Sequence, residues 1–350
     1  MLKLLLALLP LLSSTCLLVS GYSARAIFIF GDSIFDAGNN HFNKNCSAQT
    51  DFPHYGSSFF HHPIGRFTNG RTVADFISQF MGIELQESYL EAQLAVTNGS
   101  RRDYPTNGVN FASAGSGVLR ETNEDLGVIS IQEQLQQFQK LIQQNHIDKT
   151  LIPKSLFFFE SGSNDIFNYF LLGDKRDLDT YVQTMLIQVA DLVDQLYKLG
   201  ARRIALFSLG PVGCVPARAL LPNAPVDKCF DNMNLMGISV RYTGTTAVYG
   251  AVYDIVQRFR SVPSRYGLLD VTNACCGEGT LGGLVQCGRE GYKMCPNPDQ
   301  FLFWDYFHPS EHTYKLISMA LWNGKKSTVR PASLKTLADL PRSHALFKIK

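Results

Sequence analysis

Three short apolar runs, each closed by a small polar turn, predict an α/β fold built on a central, mostly parallel sheet. Ile27-Phe28-Ile29-Phe30 stops at Gly31-Asp32-Ser33, and Leu156-Phe157-Phe158-Phe159 runs toward Gly162-Ser163-Asn164-Asp165. Ile204-Ala205-Leu206-Phe207 ends at Ser208-Leu209-Gly210-Pro211. Continuous bulky apolar runs of this length read as strands buried on both faces. A long helical stripe, Leu178 to Leu199, separates the last two runs, and strand–helix–strand alternation is the pattern of right-handed crossovers. Ligands in such sheets collect beyond the carboxyl ends of the strands, which puts Ser33 where chemistry is expected.

The chain has 350 residues, 45% of them hydrophobic and 18% charged, enough to bury a full core, and one domain over residues 24–325 is expected. A formal net charge of +2 gives no reason to expect a nucleic-acid partner. Residues 1–23 have one early Lys3, then a leucine-rich run ending in small and polar residues, the pattern of a secretory signal peptide. Pro10, Ser13 and Ser14 interrupt that run and no charged stop-transfer flank follows, so no membrane span is expected once the leader is gone. The cut is placed nearer Ser20 to Ser23 than Ala26, because cutting at Ala26 would leave the first strand as the raw terminus. A secreted, extracellular, monomeric protein is the expectation.

Export agrees with the cysteines. Cys16 leaves with the leader; Cys46, Cys214, Cys229, Cys275, Cys276, Cys287 and Cys295 remain, an odd number that leaves one thiol unpaired. Their clustering suggests disulfides across loops, with Cys214–Cys229 and pairs drawn from the last four as the natural choices. A zinc site competes, but adjacent Cys275-Cys276 and the secretory context speak against it. Asn45-Cys46-Ser47 and Asn98-Gly99-Ser100 are glycosylation sequons, usable where Asn45 and Asn98 are exposed.

A long loop, His41 to Asn69, follows the first strand. His54, His61 and His62 beside Asp51 invite a metal, yet no helical spacing or second carboxylate organises them, and no metal is expected. Val73, Phe76, Ile77 and Phe80 have helical spacing over Thr72 to Phe80. Val109 to Ala112 reads as a short strand leading into the turn Ser113 to Gly117, where glycine lets a backbone N–H approach a ligand oxygen, an ordinary turn being the competing reading. Ile131, Leu135, Phe138, Leu141 and Ile142 form another helical stripe, Ala247 to Val252 a further strand, and Cys275 to Cys295 a disulfide-held loop. Phe301-Leu302-Phe303-Trp304 leads into Asp305-Tyr306-Phe307-His308-Pro309, with a last helix over Glu311 to Leu321. His312 in that helix is expected to face solvent, and residues 326–350 to form a basic surface tail.

One serine after a strand is an ordinary cap or turn hydroxyl. Asn164, His308 and Asp305 change that, because together they could supply an oxyanion donor, a base and a carboxylate beside the base. Asp305 and His308 stand three residues apart across a turn, which can leave the other imidazole nitrogen free for the serine.

At these residues the sequence resembles the plant-type secreted GDSL esterases/lipases of the SGNH hydrolase superfamily, from about Ile27 to the end of the Ser310–Leu321 segment. Four separated motifs occur in the family's order. Gly31-Asp32-Ser33 resembles the nucleophile block, with Ile34 where the family's name has leucine. Asn110-Phe111-Ala112-Ser113-Ala114-Gly115-Ser116-Gly117 resembles the second block, with Gly115 matching its oxyanion glycine; Gly162, Asn164 and Asp165 fit the third, and Asp305 with His308 the last. The resemblance implies a three-layer α/β/α sandwich of the flavodoxin-like type and no cofactor. It also implies a lipid or small acyl ester as substrate, with Ser33, Asp305 and His308 catalytic and Ser33, Gly115 and Asn164 holding the oxyanion. The chain departs from the family after Cys229: where a long amphipathic helix is expected it offers only Asp231–Val240, so the domain is expected to be shortened around 231–247. The absence of Gly-x-Ser-x-Gly argues against an α/β-hydrolase route. An acyltransferase using the same serine, or a catalytically silent secreted binding or defence protein, are the rival readings, and a serine peptidase a weaker one.

Overall fold

The computed structural model describes residues 22–239 and 247–340. In chain order the strands are β1 (Ile27–Gly31), β2 (Leu156–Glu160), β3 (Arg203–Phe207), β4 (Val248–Gly250), β5 (Asp270–Ala274), β6 (Cys276–Glu278), β7 (Val285–Gln286), β8 (Lys293–Met294), β9 (Phe301–Phe303) and β10 (Val329–Arg330). The helices are α1 (Asn39–Phe42), α2 (Val73–Met81), α3 (Tyr89–Thr97), α4 (Ile131–Gln143), α5 (Ser163–Leu172), α6 (Leu178–Lys198), α7 (Asp231–Ser239), α8 (Val252–Ser261), α9 (Glu311–Trp322) and α10 (Leu334–Asp339).

The central sheet has the order β1-β2-β3-β4-β10; its first four strands are parallel and β10 is antiparallel to β4. Alternation along each strand divides the core into two layers. Phe28, Phe30, Phe157, Phe159, Ile204 and Leu206 face one side and pack with residues of α4, α5 and α6. Ile27, Ile29, Leu156, Phe158, Ala205 and Phe207 face the other and pack with α2, α8, α9 and α10. The expected strand at Val109–Ala112 lies parallel beside β1, joined by the Ile29 N–H to the Val109 carbonyl and the Phe111 N–H to the Ile29 carbonyl. The Ala247–Val252 strand shortens to β4, because helix α8 begins at Val252.

Among the described residues three disulfides join Cys214 to Cys229, Cys275 to Cys295 and Cys276 to Cys287, and Cys46 is a buried free thiol. The last two bridges hold β6, β7 and β8 together as a small antiparallel sheet. The stretch after 325 is not a surface tail where it is described. Val329, Leu334, Leu337 and Ala338 are buried among the second layer, since the apolar residues between its Lys and Arg reach the core. His312 does not simply face water either: its Nε2 lies 2.8 Å from the Tyr266 carbonyl, half-buried where α9 meets the 263–266 turn. The expected leader is outside the described residues up to 21; Tyr22 already packs edge-on to Trp322. Of the region expected to be shortened, α7 is described and residues 240–246 are not. No helix among the described residues is long and apolar enough to cross a membrane.

Candidate active site

β1 ends at Gly31 and releases the chain into a turn where Asp32 Oδ1 accepts the Ile34 N–H at 3.0 Å. This local bond fixes the turn that carries Ser33. The anchor beneath it comes from α4, where the buried Gln134 amide accepts from the Gly31 N–H at 3.0 Å and donates to the Gly31 carbonyl at 2.9 Å. Gly31 thus has both backbone groups paired at the sheet's rim, as burial requires.

His308 arrives from the turn between β9 and α9. Asp305 Oδ1 accepts the backbone N–H groups of Phe307 and His308, which coils the chain so that the carboxylate faces the ring. His308 Nδ1 lies 2.7 Å from Asp305 Oδ1, and Nε2 lies 2.8 Å from Ser33 Oγ. A carboxylate on Nδ1 fixes the tautomer with the proton there and leaves Nε2 to accept the serine proton. Asp305 is fully buried, and its Oδ2 accepts from the Tyr55 hydroxyl at 2.6 Å. Burial and the nearby Asp305 charge push the Tyr55 hydroxyl well above its usual pKa, so it stays a donor. Phe67 packs on the His308 ring at 5.1 Å between centroids.

The Ser113–Leu119 turn is clamped by two buried carboxylates. Asp36 accepts from the Ala114 N–H at 2.9 Å, and Asp165 accepts from Val118, Leu119 and Thr122 at 2.8–2.9 Å. Gly117 has to be glycine, because a Cβ there would meet the Asp165 carboxylate at 2.5 Å. Gly115, with φ of 84°, and Asn164 both line the cavity that opens at Ser33 and His308. Asn164 Nδ2 donates to the Ser116 carbonyl at 3.0 Å and to Asp32 Oδ2 at 3.3 Å. Glu160, at the end of β2, hydrogen-bonds Asp32, and burial together with the Asp32 charge pushes its carboxyl well above the usual range.

Ser33, Gly115, Asn164 and His308 therefore line one cavity, with Asp305 buried against the His308 ring. Asn45 and Asn98 do not line that cavity and are exposed. The loop histidines are not gathered: His54 contacts the Tyr292 hydroxyl at 2.7 Å, and Asp51 pairs instead with His41. Sequence reasoning missed Tyr55, Gln134, Asp36 and Glu160. Only Glu160 gave a signal, as a lone charge ending an all-apolar strand.

The family model described as GDSL-like Lipase/Acylhydrolase matches residues 27–321. The chain is 61% identical to GDSL esterase/lipase 6 of Arabidopsis thaliana, an alignment that covers 96% of each chain. It is 32% identical to GDSL esterase/lipase 7 of the same plant, over 91% of this chain and 93% of that one. With the GDSL lipase of Tanacetum cinerariifolium it shares 32%, over 92% and 90%.

Proposed function

This chain belongs to the GDSL-like lipase/acylhydrolase family and is a carboxylic ester hydrolase, and on that premise we propose that Ser33 is its nucleophile, His308 its base and Asp305 the residue that orients the base. His308 Nε2 takes the Ser33 proton as Oγ attacks the ester carbonyl. The tetrahedral oxyanion is held by the backbone N–H groups of Ser33 and Gly115 and by the Asn164 amide, whose long 3.3 Å bond to Asp32 is the one free to redirect. His308 then protonates the departing alcohol, and water repeats the sequence to release the acid. The observation that carries this reading is the unbroken relay from Ser33 Oγ through the imidazole to a buried carboxylate, at 2.8 and 2.7 Å.

The mature protein is secreted, monomeric and glycosylated at Asn45 and Asn98. The contacts of Tyr22, and of Ala24, whose N–H donates to the Ala338 carbonyl at 2.9 Å, favour cleavage ahead of Tyr22.

A fluorophosphonate probe and ethyl butanoate turnover test the assignment. The probe should label Ser33, and Ser33→Ala should abolish labelling and lower kcat about 10⁶-fold. Undiminished turnover by Ser33→Ala would refute it.

A further inference from the structure

The cavity at Ser33 does not end there. It measures about 350 Å³, the size of a small-molecule site. Its lining continues into the layer between the sheet and helices α2, α8 and α9, an apolar arm to which Val73, Phe207, Val256, Leu302, Ile317 and Leu321 contribute. All six are buried and apolar, walls that suit a hydrocarbon chain and offer nothing to a charged group.

Two polar atoms interrupt this lining. Glu160 and Tyr314 both face the cavity, 3% and 1% exposed, and Glu160 Oε2 and the Tyr314 hydroxyl have no hydrogen-bond partner among the described residues. Alternation along β2 turns Glu160 to the face of Phe158, toward α9, where Tyr314 sits. Burial, with the Asp305, Asp32 and Glu160 charges, pushes the Tyr314 hydroxyl well above its usual pKa, so it stays protonated, and Glu160 bonds Asp32, the residue before Ser33. Both atoms therefore belong to the same cavity as Ser33 and the apolar residues named above. A buried donor and a buried acceptor left open cost stability until a ligand completes them. Glu160 Oε2 and the Tyr314 hydroxyl are thus each left open to a hydrogen bond from a bound molecule. An aliphatic hydroxyl, which both donates and accepts, can complete either.

We propose that this arm binds the acyl chain of the ester and that Glu160 and Tyr314 select chains carrying a hydroxyl within the first few carbons of the carbonyl. The proposal rests on the Ser33 reading above, and binding to an inert protein separates the two. The full-length mature Ser33→Ala protein is titrated calorimetrically with ethyl butanoate, ethyl octanoate and ethyl 3-hydroxyoctanoate. Octanoate should bind more tightly than butanoate, by up to about fourfold per added methylene. The 3-hydroxy ester should gain about a further tenfold, and Ser33→Ala carrying Tyr314→Phe should lose that gain. Equal affinity for butanoate and octanoate, or no advantage for the hydroxyl, overturns the proposal without any further variant. So does a hydroxyl advantage that survives Tyr314→Phe. Failure of the Ser33 reading would show separately, as wild-type turnover of ethyl butanoate that Ser33→Ala does not reduce.

Discussion

Asp36 accepts backbone N–H groups from Gly38, Asn39, Asn40 and Ala114, tying the segment after the nucleophile to the Gly115 turn. Burial outweighs these donors and pushes its carboxyl up to about 6, from 3.8. A raised carboxyl binds its proton more tightly in the folded state, so its contribution to stability is full below 3.8 and is lost as pH rises through 6. The loss amounts to about 3 kcal/mol. Asp36→Asn cannot titrate and should be less stable than wild type at pH 4, with the gap shrinking by about 3 kcal/mol by pH 7 in urea unfolding; a gap independent of pH would count against this account. Ser33, Asp305 and His308 were legible in the sequence because each is framed by a short local motif. Tyr55 was not, since it meets Asp305 across 250 residues and no local pattern records that contact.

Among the elements, α4 does more than cover the sheet. Its start is capped by Ser130 and Glu133 in a reciprocal box, and one turn on it sends Gln134 to Gly31. Gln134→Leu would leave the buried Gly31 N–H unpaired at the base of the Ser33 turn. The expected cost is about 2–3 kcal/mol in chemical denaturation, with slower fluorophosphonate labelling of Ser33; unchanged stability and labelling would show that Gly31 is held by the strand ladder alone. Helices with one clean apolar stripe, α4 and α6, were legible with nearly their observed bounds. Helix α3 was not, because its apolar residues point several ways, with Leu94 exposed and Ala92 buried. Helix α8 was hidden by the β-branched residues around β4, which read as strand through Val252. The strands β5 to β8 are short, β5 and β7 half-buried and β8 exposed, and none has the apolar run that marked the sheet.

At the scale of the whole molecule the two ends of the described chain close on one another. The Ala24 N–H donates to the Ala338 carbonyl and the Ser23 hydroxyl to that of Leu340, while the buried Arg203 guanidinium donates to both carbonyls and to Ser23 Oγ. β10 covers the edge of β4 that would otherwise be open, and Val329, Leu334 and Leu337 fill the second layer at 1%, 0% and 2% exposure. Composition hid this, because a segment rich in Lys and Arg reads as solvated surface. A chain ending at residue 325 would expose three large core positions, worth about 1.5–3 kcal/mol each, and strip a buried cation of two acceptors. That sum approaches the about 5–15 kcal/mol by which whole domains are stable. The truncated protein should therefore lose its cooperative thermal transition by circular dichroism and fail to label at Ser33, although every residue of the Ser33–His308–Asp305 relay is still present. A truncated chain that melts within a few degrees of the full one would return this segment to the status of a tail.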